Sequence, residues 1–353
     1  MLKILPYLKL AVEKSASDIF FTANAPAMLK IEGEMLAVGK TLLTSDFIRE
    51  LAYSILVPEQ QRYLEEHLEI DLATQAGGLG RFRVNIFNQR GSLGMVLRYV
   101  KSQVPTLAEL NVPPVLQDLI MLKRGMILMV GATGSGKSTT LAAMLNHRNE
   151  NSSGHILTIE DPIEFVHPNK RSIFNQREVG TDTVSYERAL KSSLREAPDV
   201  ILIGEIRVRE TMDACTQLAN TGHLAISTLH ANNAYQALQR IVNLYPDNMR
   251  GQLYMDLGMT LRAIISQRLV RRRDGRRVAA FEVMVNTPYV QELILNKRID
   301  EIKEAMNQSS DKGMQTFDQS LYGLYKAGTI ELDEALENAD SRTNLEAKIN
   351  FGG

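Results

Sequence analysis

A single cysteine, Cys215, stands in 353 residues, so neither an intramolecular disulfide nor a multi-cysteine zinc site can form. A reducing compartment is therefore expected. Also missing is any run of about 18 consecutive apolar residues, the minimum for a membrane-spanning helix. The N-terminal stretch MLKILPYLKLAVEK is apolar but is interrupted by Lys3, Pro6 and Lys9, and it lacks the small-residue cleavage site of a signal peptide. The expectation is a cytoplasmic chain without direct membrane insertion. Charge excess is absent as well. Forty basic residues face 41 acidic ones, a net charge of -1, which argues against a chain built mainly to neutralise nucleic-acid phosphates. No internal repeat or low-complexity tract is visible.

What remains is an ordinary folded composition, 44% hydrophobic and 23% charged, in a length that suggests about two domains. Residues 1–98 read as a small α+β domain. LPYLKLAVEK has helical spacing, IFFTANAPAMLKIEGEMLAV reads as short strands broken by turns, and Thr44 or Ser45 can cap a helix that ends before Pro58. RFRVNIF alternates, with Phe82, Val84 and Ile86 on one face, and LGMVLRYV returns as its partner after the turn NQRGS. The proline-rich segment 99–114 reads as a linker. From Val115 onward, the apolar runs MILMV, HILTIE, DVILIG and HLAISTLH alternate with helical segments, the pattern of an α/β fold with a parallel sheet covered on both faces. LVRRRDGRRVAAFEV predicts a hairpin turning at Asp274-Gly275. A helical region follows from about residue 289, and the last dozen polar residues read as a loosely held tail.

Chemistry concentrates at a few places. GATGSGKS, residues 131–138, follows the strand MILMV and opens the helix TTLAAML. The glycines Gly131, Gly134 and Gly136 let the backbone approach phosphate oxygens, Lys137 can reach the β- and γ-phosphates, and the Ser138 hydroxyl can bind Mg²⁺. ATP and Mg²⁺ are the expected ligands. DVILIGE ends a buried strand in Glu205, a candidate to hold Mg²⁺ through water, with Gly204 where many P-loop enzymes carry an aspartate. IEDPIEF places Glu160, Asp161 and Glu164 at another strand end, where ligands of open parallel sheets bind, and Glu164 is the candidate base. Two histidines bracket HLAISTLH. A metal site would need at least three ligands, and neither a cysteine nor an H-E-x-x-H pattern stands nearby. His230, at the strand's C-terminal end, is either a structural histidine or a sensor of the γ-phosphate, and spacing alone does not place His223.

Together, VGATGSGKSTTLAAML, HILTIEDPIEFVH, NQREVGTDT, LKSSLREAPDVILIGEIR and TGHLAISTLHANNA resemble the secretion ATPase superfamily, and within it the type IV pilus retraction ATPases, the PilT/PilU group. SASDIFF and RFRVNIF fit that group's N-terminal domain, so the resemblance covers nearly the whole chain. It implies a PAS-like domain over 1–98 and a RecA-like P-loop ATPase domain over 115–353, joined by the linker and assembled as a homo-hexameric ring. Walker A falls on Gly131–Ser138, with Thr133, Ser135 and Thr139 among the nucleotide contacts. The acidic box falls on Glu160–Glu164, with Glu164 as the catalytic glutamate, Walker B on Val200–Glu205, and the histidine box on His223–His230. Arg81, Arg98, Arg195 and Arg240 occupy positions of arginines that complete the pocket in such rings, and surface ion pairing is the alternative for each.

Three departures, TPYVQELI in place of an A-I-R-x-L-I stretch, Val208 in place of an aspartate, and the C-terminal SRTNLEAKINFGG, look more like the PilU type. The implied function is a cytoplasmic motor that hydrolyses ATP to retract pili in twitching motility, peripheral to the inner membrane. Its implied partners are a paralogous retraction ATPase and a platform protein of the inner membrane. Two rival readings stand beside it. One is a ring subunit that binds nucleotide but turns over little. The other is a nucleic-acid translocase, whose only support is the run RRRDGRR.

Overall fold

The computed structural model describes residues 3–31, 33–76, 78–100, 103–309 and 313–351. Lys101 and Ser102 of the expected linker, and Gly352 and Gly353 of the expected tail, lie outside the described residues. The chain divides into two compact units, Met1–Gln103 with the short segment Glu164–Val166, and Val104–Ile163 with His167–Gly353.

The first unit contains α1 (Leu5–Glu13), β1 (Asp18–Phe21), β2 (Ala27–Ile31), β3 (Glu34–Val38), α2 (Ser45–Tyr53), α3 (Pro58–His67), β4 (Glu69–Ala76), β5 (Gly80–Gln89) and β6 (Ser92–Val100). Its sheet runs β3-β2-β1-β6-β5-β4, antiparallel throughout. Phe82, Val84 and Ile86 of β5 are fully buried, as their alternation requires when one face of a sheet meets a core. Arg90 and Gly91, the two residues between β5 and β6, have φ of 47° and 76°, the paired left-handed conformations of a tight hairpin turn. Thr44 Oγ1 accepts from the Phe47 amide at 3.2 Å and so caps α2.

The second unit carries α4 (Val115–Ile120), β7 (Gly125–Val130), α5 (Lys137–Asn151), β8 (Gly154–Glu160), β9 (Ser172–Glu178), α6 (Tyr186–Ser193), β10 (Val200–Glu205), α7 (Arg209–Asn220), β11 (Leu224–Leu229), α8 (Ala234–Asn243), α9 (Asp247–Thr260), β12 (Leu261–Arg271), β13 (Arg277–Val285), α10 (Pro288–Leu295), α11 (Ile302–Gln308), α12 (Phe317–Lys326), α13 (Leu332–Glu337) and α14 (Arg342–Phe351). The sheet order is β13-β12-β7-β11-β10-β8-β9. All pairs are parallel except β12 with β13. Every residue of β7 is buried. Its side chains divide by parity between two cores, Met126, Leu128 and Val130 on one face and Ile127 and Met129 on the other. Burial on both faces is what a central parallel strand requires.

β9 has no counterpart among the expected strands: SIFNQRE carries only two large apolar residues, of which Phe174 is buried and Ile173 exposed. One expectation needs correction. The last dozen residues are not loosely held through their described part. They form α14, whose Leu345 is 1% exposed and packs into a small core with Phe317 and Leu321, with Ile349 alongside. Leu345 and Ile349 are four apart and share a helix face, an apolar pair that the polar composition conceals.

Candidate nucleotide site

Parallel register decides what meets what at the C-terminal end of the second sheet. Leu229 of β11 lies beside Val130 of β7, so His230 and Gly131, the next residues, leave adjacent strands together. Glu205 of β10 pairs with Thr228 of β11, and Ile159 of β8 pairs with Ile203. Gly131, His230, Glu205 and Glu160 therefore stand along one edge, on strands about 4.8 Å apart.

The glycine loop joins β7 to α5 directly. Gly131, Gly134 and Gly136 have φ of 153°, 77° and 86°, conformations that side chains resist. Space matters as much as torsion. A Cβ at Gly131 would stand 2.5 Å from Ser135 Oγ and 2.6 Å from the Gln267 carbonyl oxygen, and one at Gly136 would stand 2.8 Å from Gln267 Nε2. Lys137 Nζ donates to the carbonyls of Gly131 and Ala132 at 2.8 and 2.9 Å, which holds the ammonium over the loop. Ser138 and Thr139 form the half-buried first turn of α5, and Thr133 is exposed at the loop's tip.

Glu205 is tied on both oxygens. His230 Nε2 lies 3.2 Å from Oε1, and Arg207 Nε donates to Oε2 at 2.7 Å. That pairing raises the Arg207 pKa, first through the hydrogen bond and then through charge. Arg207 was not singled out from the sequence, although its spacing two residues past Glu205 on an extended segment would put both on one side. Arg240, on α8, donates to the His230 carbonyl at 2.9 Å, so it joins this cluster through the backbone. The hydroxyls of Ser227 and Thr228 donate to the carbonyls of Ile203 and Gly204 at 2.6 Å each and lock β11 to β10 just below the edge.

Gly204 has a structural account. The β10–β11 register shifts between Ile203 and Glu205, a bulge that re-aims the following side chain. A Cβ at 204 would collide with the Tyr186 hydroxyl. Burial, with Asp161 and Glu160 nearby, pushes the Tyr186 pKa well above the usual phenol value, so the group stays protonated. Any side chain there requires the Tyr186 ring to shift.

Glu160 Oε1 accepts from Thr158 Oγ1 at 2.6 Å and from Gln176 Nε2 at 3.2 Å. A cis Asp161–Pro162 bond follows, and the Ile163 amide donates to Glu178 at 3.0 Å. Glu164 comes next and is exposed.

Not every expected site residue joins this edge. His223 precedes β11, and its Nδ1 lies 3.1 Å from both the Leu218 carbonyl and Thr221 Oγ1. It marks the N-terminal edge of the sheet, about 20 Å along the strand from His230. Arg195 precedes β10 and lines a cavity of about 620 Å³ with Arg177, Arg188 and Lys191. The cavity also takes in residues 180–184, which follow the C-terminal end of β9, so it runs alongside α6 from that end toward Arg195. Arg195 thus stands before the start of β10, whereas Glu205 ends that strand. In the first unit Arg98 Nε donates to Asp18 at 2.8 Å, and Arg81 lies on β5.

Among the described residues, no group of three or more His, Cys, Asp or Glu is placed to hold a metal ion. Glu205 supplies a carboxylate at this edge, and with no cluster of three protein ligands among the described residues the donors suit Mg²⁺ that keeps water and phosphate ligands, not an ion held by protein alone. The basic run at the β12–β13 turn is partly paired with two carboxylates. Arg272 and Arg276 reach Asp274 at 3.3 and 2.7 Å, and Arg273 reaches Glu331 at 3.1 Å.

A glycine loop between a central parallel strand and a helix, flanked by an acid and a histidine on neighbouring strand ends, defines a P-loop nucleotide hydrolase. The chain matches the Type II/IV secretion system protein family over residues 3–336, and it belongs to that family. It is accordingly an ATP hydrolase. Over 346 residues it is 49% identical to the type IV pilus ATPase PilU of Pseudomonas aeruginosa, covering 98% of this chain and 91% of that protein. It is 40% identical to the type IV pilus retraction ATPase PilT of the same organism, over 96% and 98%. A crystal structure of the pilus retraction motor PilT with bound ADP superposes with a TM-score of 0.92 at 41% identity, over 98% of this chain and 99% of that one. Among the described residues, no helix is long and apolar enough to cross a membrane.

Proposed function

We propose that this chain is a subunit of a cytoplasmic homo-hexameric motor that couples ATP hydrolysis to retraction of type IV pili, acting beside a paralogous retraction ATPase. The observation that carries it is the likeness to PilU along 98% of the chain, in a fold that gathers Gly131, Glu205 and His230 at one sheet edge. In this reading the 131–138 loop cradles the triphosphate, with Thr133, Ser135 and Thr139 among its contacts and Lys137 on the β- and γ-phosphates. Ser138 and, through water, Glu205 would hold Mg²⁺, which would supply charge neutralisation to the phosphates. Glu164 orients the attacking water, Glu160 supports it, and His230 stands where it can follow the γ-phosphate. Arg240 braces His230.

The N-terminal unit takes the PAS-like role and the second the RecA-like role, with 99–114 as the hinge between them. Arg81 and Arg98 serve a nucleotide across a subunit boundary. His223 and Arg195, at the far edge of the sheet, can touch nucleotide only in the same way. The partner at the membrane is a platform protein of the inner membrane, and nucleic acid plays no part.

Pilus retraction in cells that carry this chain, with and without a paralogous ATPase, tests the proposal. Retraction rate should fall when this chain is lost. Unchanged retraction in both backgrounds refutes the role. The reading as a ring subunit with little turnover draws on Gly204 and on a Glu205 already engaged by Arg207 and His230. ATPase rates of the purified protein alone and mixed with its paralogue distinguish the two.

A further inference from the structure

Gln267 lies on β12, whose Ser266 pairs with Val130 of β7, so it stands beside the start of the glycine loop. It is 3% exposed. Its carbonyl oxygen comes within 2.6 Å of where a Cβ on Gly131 would be, and its side-chain Nε2 within 2.8 Å of where one on Gly136 would be. One residue thus walls the loop at its first and last glycine, with main chain at one and side chain at the other. Its Oε1 is buried and has no hydrogen-bond partner among the described residues, and the same holds for Ser135 Oγ inside the loop. Ser135 is 7% exposed, and its hydroxyl closes on the same point above Gly131 that the Gln267 carbonyl does. A buried donor and a buried acceptor, both unsatisfied and both against one loop, are costly for the fold to keep. Folds retain such groups where function needs them.

We infer that Gln267 is a positioning residue of the nucleotide site, which sets the width of the glycine loop and offers Oε1 to the Ser135 hydroxyl when the loop takes up phosphate. Gln267 touches the loop and not the reacting atoms. Its neighbours on β12 reach elsewhere. Ser266 Oγ donates to Glu282 at 2.9 Å, and Glu282 accepts from the Ala234 amide at the start of α8 at 2.7 Å. Arg268 donates to the Asn232 carbonyl at 3.3 Å. The strand that walls the loop thereby also braces the segment leaving His230.

The inference rests on the loop being the phosphate site. The test is Gln267→Met, which keeps length and bulk but removes the amide, with binding of Mg²⁺ and a fluorescent ATP analogue measured beside thermal unfolding. The expected result is binding weakened about tenfold, the scale of one lost hydrogen bond to a well-placed group, with an unfolding temperature equal to or above that of the unmodified chain. A purely structural role predicts the reverse, lower stability with binding intact, and that result overturns the inference. Ser135→Ala supplies the second variant. The combined change should weaken binding no more than the larger single change if the two groups pair, whereas independent losses that multiply refute the pairing. Failure of the unmodified chain to bind the analogue would instead overturn the phosphate site itself.

Discussion

The two sheets keep their information in different places. In the first unit the antiparallel strands alternate, and parity alone places Phe82, Val84 and Ile86 in the core. In the second unit β7 is buried on both faces, so parity separates only one core from another. What matters there is position along the strand. His230 and Glu205 meet because both close their strands, while His223 and Arg195 stand apart because both precede theirs. Side chains at the mouth of a parallel sheet meet by being last.

Several substitutions can break that contrast. Phe82→Ala, in the first sheet, should produce the largest loss of stability, about 3–5 kcal/mol, read by chemical denaturation. Lys137→Ala, at the second sheet's mouth, should leave stability nearly intact but reduce turnover on the order of 100-fold or more, read in a steady-state ATPase assay. His230→Ala should slow turnover roughly 10- to 100-fold, as loss of a positioned polar group does, with His223→Ala weaker in the same assay at matched assembly. Equal effects would abolish the distinction between the two edges.

Smaller effects sharpen the comparison. Gly204→Ala should destabilise by about 1–3 kcal/mol through overpacking against the Tyr186 hydroxyl. Tyr186→Phe should recover much of that loss, since the remaining contacts of a Cβ there are 3.3 Å to the Ile159 carbonyl and 3.4 Å to the ring. Glu282 supplies a pH test. Burial raises its pKa to about 7, with Asp340 pushing the same way and the Ala234 and Ser266 hydrogen bonds and Arg268 opposing. The folded state then holds a proton that the unfolded chain releases near the ordinary glutamate value, so this group's contribution to stability falls as pH rises from about 4.5 to 7. Glu282→Gln should flatten that slope in denaturation measured between pH 5 and pH 8.

Legibility followed the same division. The hairpin of β5 and β6, the apolar parallel strands and the glycine loop were readable, since each has a period or a spacing of its own. β9 and α14 were not, because a half-apolar edge strand and a helix anchored by Leu345 and Ile349 lack a full stripe. Glu205 and His230 were readable as strand-end residues. Their contact, its extension to Arg207, and the wall that Gln267 makes behind the loop depend on strand order, and no local pattern carries strand order.

The bulge at Gly204 has a consequence for substitution. Tyr186 and Gly204 are 18 positions apart in the chain, yet neither can be exchanged freely while the other stays. A side chain could stand beside Glu205 only after the phenol had shrunk, and a chain that lost its phenol first would carry an unfilled hollow. The two positions are therefore coupled by space.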